Sequence, residues 1–148
     1  MKKEKNELLK LVNINKTYKM SHEKIKAIDN VNLSLNSGEI IGLVGESGCG
    51  KSTLARIIVG LEKIDSGEIF FEGKKVTNKN IKEFRKRIQL IFQDSISALD
   101  PKISIYNSVF EPLDILYKKR TNENEIKVER ILSDVGIKKD NFNKLPAT

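Results

Sequence analysis

Gly45, Glu46, Ser47, Gly48, Cys49, Gly50, Lys51 and Ser52 stand in the pattern G-x-x-x-x-G-K-[ST], and Thr53 follows. Each residue type at that spacing has a chemical task. Glycine accepts positive φ and carries no Cβ, so the backbone can fold round a chain of phosphates. The exposed N–H groups and the N-terminus of the next helix then face the anion. Lys51 is expected to reach the β- and γ-phosphates, and the Ser52 hydroxyl to ligate Mg²⁺. Glu46 reads as a solvent-facing loop residue, not as a base. The chemistry these residues point to is binding of a nucleoside triphosphate with Mg²⁺.

Such a loop works only between a strand and a helix. Residues 39–44, Glu-Ile-Ile-Gly-Leu-Val, are apolar enough to predict a buried strand, and residues 53–59 predict a helix that ends at Gly60. Upstream, residues 8–19 and 25–35 alternate apolar and polar side chains, which predicts two half-buried strands joined by a turn at 20–24. His22 lies in that turn and is given no role. Ser37-Gly38 and Asp65-Ser66-Gly67 read as turns, 68–71 as a short strand, and Glu72-Gly73-Lys74 as the start of a hairpin through Val76. Residues 80–86 predict a helix and 88–92 a second buried strand with Gln93 at its end. Ser104 caps a predicted helix that Pro112 is expected to kink or interrupt. Thr121 or Asn122 caps another, with apolar positions Ile126, Val128, Ile131, Leu132 and Val135, ended by Gly136.

At 148 residues one domain of ordinary size is expected. No apolar run approaches the roughly 20 residues needed to cross a bilayer, and the charged N-terminus carries no secretion signal. The one cysteine excludes an internal disulfide and fits a reducing compartment. The net charge of +7 raises the question of nucleic acid. Lysine far outnumbers arginine, whereas base readout favours arginine forks, and no aromatic residues interleave a basic run. No nucleic-acid partner is expected, and the basic faces read as solvated.

A β-layer ahead of the loop, together with several motifs, resembles the ATP-binding cassette (ABC) transporter ATPases. Val12-Asn13-Ile14-Asn15-Lys16-Thr17-Tyr18 resembles the family's opening strand. Residues 27–35, the 37–45 approach to the loop, and Gly60-Leu61 with Ser66-Gly67-Glu68-Ile69 match in turn. Ile91-Phe92-Gln93-Asp94 resembles the Q-loop. Ser97-Ala98-Leu99-Asp100-Pro101 and Glu111-Pro112-Leu113 are similar to the oligopeptide, dipeptide and nickel importer branch, with Ser95 where that branch often has proline. The resemblance implies an α/β fold: a P-loop NTPase of the ABC nucleotide-binding type, of which the chain holds the N-terminal portion. Residues 1–103 would form the β-layer and ATP-binding core through the Q-loop, and 104–148 the start of a helical subdomain. It also implies that Tyr18 stacks on adenine and that Gln93 meets Mg²⁺ or its water and signals to a membrane subunit. ATP and Mg²⁺ are the implied ligands. Integral-membrane permease subunits and, in the full-length form, a second ABC subunit are the implied partners, on the inner face of the membrane.

Asn143-Lys144-Leu145-Pro146 resembles the segment that leads into the family's L-S-G-G-Q signature. The signature, the Walker B aspartate with its catalytic glutamate, and the switch histidine have no counterpart in the sequence. The expectation is a chain truncated within the domain. Two readings follow: the ATP-binding subunit of a peptide importer, or a nucleotide-binding module or remnant without hydrolysis. A phosphotransferase is disfavoured by the β-layer ahead of the loop.

Overall fold

The computed structural model describes residues 6–20, 23–94, 98–117 and 120–146. His22, Ser95 and Ser97 lie outside the described residues. Two compact units are present, Met1–Leu90 and Ile91–Thr148. The sequence reading instead put the divide between 103 and 104.

The first unit is built on two long antiparallel strands, β1 (Glu7–Lys19) and β2 (Lys24–Asn36). Their period-2 alternation is what a half-buried sheet requires. β3 (Ser66–Phe71) pairs with the other edge of β1, and β4 (Lys74–Lys75) with β3, giving the order β2-β1-β3-β4. Ser66 and Gly67, read from sequence as a turn, are the first residues of β3. The ladder between β1 and β2 is bulged. Asn13 and Asn30 take positive φ of 50° and 49°, a region that asparagine tolerates better than most residues. Two further asparagines satisfy the backbone there. Asn32 Oδ1 accepts from Asn13 N–H at 2.9 Å, and Asn15 Oδ1 from Asn30 N–H at 3.0 Å.

Helix α1 (Lys51–Ile58) lies on this sheet. Leu54 and Ile57 pack with Leu11, Ile14 and Ile28 in the core. Each such buried side chain contributes about 1.5–3 kcal/mol, so the residues just before α1 have a firm base. α1 stops at Ile58, with Val59 its C-cap and Gly60 at φ 73° just beyond, and α2 (Ile81–Arg87) follows the β3–β4 hairpin with Phe84 buried.

Two expected strands are absent. Residues 39–44 and 88–92 form no ladder, and Ile40 is 97% exposed, Val44 99% and Ile91 92%. Their composition suits strands buried on both faces and paired on both edges. No described residue offers either segment a neighbouring strand.

In the second unit, α3 (Ile105–Tyr117) begins where Ser104 Oγ accepts from Asn107 N–H at 3.3 Å. The expected interruption at Pro112 does not occur, and the helix continues through it. The proline forgoes one backbone bond, while Phe110 and Leu113 either side of it hold the helix on its core. Thr121 caps α4 (Asn122–Asp134), with Glu123 and Glu125 in the first turn. Of α4's expected apolar stripe only Val128 and Leu132 are buried; Ile126, Ile131 and Val135 are exposed. One helix face suffices, because its cover is α3 with Ile137 and Phe142. The Phe142 and Lys144 carbonyls accept from Tyr106 and Ile105 N–H at 2.9 and 3.0 Å, closing the start of α3.

Candidate functional site

The loop from Gly45 to Gly50 joins an exposed segment to the buried start of α1. Gly50 is the N-cap, with φ 97° and ψ 0°. A Cβ there would stand 2.3 Å from the Ala27 carbonyl oxygen and 3.1 Å from Ile28 Cδ1. Glycine is therefore required at this point on two counts, the sign of φ and the close approach to β2. Leu54 N–H donates to the Gly50 carbonyl at 2.8 Å and starts the helix. Cys49 N–H donates to the Glu46 carbonyl at 3.4 Å, which closes a tight turn. Among the described residues, the N–H groups of Gly48, Gly50, Lys51, Ser52 and Thr53 have no acceptor. Grouped N–H donors at a helix start favour an anion. No acidic residue occupies the first turn of α1 to compete for them.

Lys51 folds back over the loop. Its ammonium donates to the carbonyls of Gly45 at 2.7 Å and Glu46 at 2.6 Å, and to Cys49 Sγ at 3.4 Å. The cation is thus anchored at the mouth of the loop. Ser52 is exposed, and its hydroxyl bonds to no other described residue. Ser47 and Cys49 are exposed and Thr53 half-buried. The Cys49 thiol is exposed, and its sulfur lies against the loop, 2.8 Å from where a Cβ on Gly45 would stand.

Tyr18 comes to the same end of the β1–β2 pair. It opposes Ile25, Thr17 opposes Lys26 and Lys16 opposes Ile28, so it lies within a few residues of register of the Ala27 contact that seats Gly50. Gln93 lies in an exposed bend of the second unit.

Lys16 and Glu62 were missed from sequence. Lys16 Nζ lies 2.6 Å from Glu62 Oε1, donates to the Lys63 carbonyl at 2.8 Å and stands 5.2 Å over the centre of the Tyr18 ring. The hydrogen bond to Glu62 raises the Lys16 ammonium above its ordinary value despite some desolvation. The same bond from Lys16 holds the Glu62 carboxyl below its ordinary value, and the Tyr18 hydroxyl adds in that direction. Asp65 Oδ2 accepts from Thr17 N–H at 2.7 Å and fixes the α1–β3 connection beside them. The available signal was period 2: Lys16 and Tyr18, two apart on a strand, share a face.

A family model described as "ABC transporter" matches residues 28–147. The chain belongs to the ABC transporter family. It is 38% identical over 127 residues to the oligopeptide transport ATP-binding protein OppF of Lactococcus lactis subsp. lactis, covering 84% of this chain and 40% of that one. OppF of Haemophilus influenzae is 39% identical over 153 residues, with 94% and 46% covered. The nickel import ATP-binding protein NikE of Shigella flexneri is 38% identical over 128 residues, with 84% and 48% covered. The chain spans about half the length, or less, of these relatives. Among solved structures, the dimeric post-hydrolysis state of the ATP-binding cassette MJ0796 bound to ADP and Pi superposes with a TM-score of 0.77 at 31% identity, over 95% of this chain and 62% of that one. cbiO1 from Clostridium perfringens, part of the cbiONQ transporter complex, gives a TM-score of 0.67 at 29% identity, with 95% and 54% covered. The ABC family chain therefore carries the fold of the N-terminal portion of an ATP-binding cassette. No described helix is long and apolar enough to cross a membrane.

Proposed function

We propose that this ABC family chain binds ATP as part of the ATP-binding subunit of an importer that takes up peptides. The observation that carries the reading is the loop itself: Gly50 seated on β2 where no side chain fits, with Lys51 anchored across the loop mouth. The likeness to proteins named for oligopeptide transport supports the substrate class. Binding exchanges carbonyl contacts of Lys51 for contacts to the β- and γ-phosphates, while the N–H groups of residues 48–53 receive the remaining oxygens. Tyr18 takes the adenine ring by stacking.

Mg²⁺ fits the donor set in one respect. The exposed Ser52 hydroxyl, engaged with no described residue, supplies one oxygen. Mg²⁺ commonly completes its shell with phosphate oxygens and water. The ion would neutralise phosphate charge. Gln93 would meet that shell and move with it, and the residues after it would face a permease subunit. A second ABC subunit and integral-membrane permeases complete the proposed assembly on the inner face of the membrane.

Uptake of a toxic peptide by the source cells tests the importer reading. Lys51→Ala in the chromosomal copy is expected to confer resistance. Unchanged sensitivity, with normal amounts of the variant protein, would refute the importer assignment.

A further inference from the structure

A stacking residue is useful only if its ring is held still. In this chain the Tyr18 ring is held by a group that no phosphate-binding pattern includes. Lys16 stands over one face at 5.2 Å, inside the distance at which a cation and an aromatic ring attract. Lysine usually has many rotamers, but this one is clamped. Its ammonium bonds Glu62 Oε1 at 2.6 Å and the Lys63 carbonyl at 2.8 Å, and its side chain is only 12% exposed. Glu62 and Lys63 lie in the connection that leaves α1, the helix that begins in the phosphate loop. The same connection is tied to β1 by Asp65, on Thr17 N–H at 2.7 Å and through its own N–H on the Asn15 carbonyl at 2.9 Å. The far end of the phosphate-loop helix and the support of the Tyr18 ring are thus one bonded structure.

We propose that Lys16, clamped by Glu62 and the Lys63 carbonyl, is a positioning residue for the nucleotide base: it occupies one face of the Tyr18 ring and confines an adenine to the other. This rests on the nucleotide-binding reading above. Its chemistry is consistent with the ligand. A cation on one face draws electron density from the ring and strengthens stacking of an electron-rich purine on the opposite face. The charge of Lys16 is already balanced by Glu62, so its contribution goes to the base and not to the phosphates.

Titration calorimetry with MgATP and, separately, magnesium tripolyphosphate separates base from phosphate binding. Wild type is expected to bind ATP more tightly than tripolyphosphate. Lys16→Met and Glu62→Gln are expected to lose about 2–5-fold in ATP affinity and to bind tripolyphosphate as wild type does. Lys16→Arg, which keeps a cation over the ring, is expected to restore ATP affinity, and a thermal melt checks that each variant is folded. Equal losses for both ligands, or no loss for either, would overturn the proposal. Wild-type protein that binds tripolyphosphate with no preference for ATP would overturn it while leaving the phosphate loop intact. Wild-type protein that binds neither would overturn both readings.

Discussion

Replacing Gly50 by alanine attacks the fold and the site at one atom. The added Cβ would stand 2.3 Å from the Ala27 carbonyl oxygen, a backbone atom of β2. It would also force an alanine to φ 97°. A left-handed conformation costs a residue with Cβ about 1–2 kcal/mol. The backbone contact cannot be relieved by a rotamer change, and moving a packed element adds a further cost of about 1–3 kcal/mol. The expected total is about 2–5 kcal/mol. Gly38 provides the internal control. It too has positive φ, 75°, but a Cβ there meets nothing within 4 Å, so Gly38→Ala should cost only the conformational part, about 1–2 kcal/mol. Urea denaturation followed by circular dichroism measures both. The difference between the variants isolates the contact with β2. Equal losses for the two, or a Gly50→Ala loss below about 0.5 kcal/mol, would refute the account of how the loop is seated.

Acid should separate Lys16 from Glu62. The folded value of the Glu62 carboxyl lies below its ordinary 4.5, so the stability it contributes is present above that value and lost as pH falls through the folded one. The Lys16 ammonium is raised above 10.5, so its share persists below that pH and is lost only in strong alkali. Melting temperatures of wild type and Glu62→Gln should therefore differ at pH 7 and converge as pH is lowered past 4.5; a difference unchanged at pH 3 would contradict the pairing. The exposed Cys49 thiol should react with a maleimide, and MgATP should slow that reaction several-fold, because bound phosphates cover the loop. Mass spectrometry of the labelling rate checks this, and a rate unaffected by saturating MgATP would contradict phosphate binding at the loop.

The paired strands β1 and β2 could be read from sequence because each buries one face, which leaves a period of two in Leu9 and Leu11 and in Val31, Leu33 and Leu35. The turn of residues 45–50 and the helix start after it could be read because Gly50 answers to local backbone geometry. Residues 39–44 and 88–92 carry the composition of inner strands. Composition says what a segment suits when it is paired, whereas a ladder needs neighbours that no described residue supplies. Pro112 breaks helices in general, yet local propensity yielded to the Phe110 and Leu113 packing around it. The clamp on Tyr18 left almost no trace. Lys16 and Lys63 are 47 positions apart, and nothing in local spacing announces a contact between a strand and the end of a helix that distant in the chain.

Calorimetric titration of MgATP into wild type and Lys51→Ala bears most directly on nucleotide binding by the Gly45–Ser52 loop. Lys51 is the one cationic side chain of residues 45–52; on the reading proposed it donates to the phosphates, and charge-assisted hydrogen bonds of this type are worth about 1.5–3 kcal/mol. Wild type is expected to bind, and Lys51→Ala to bind about 10–150-fold more weakly. The same affinity in both proteins would contradict the reading.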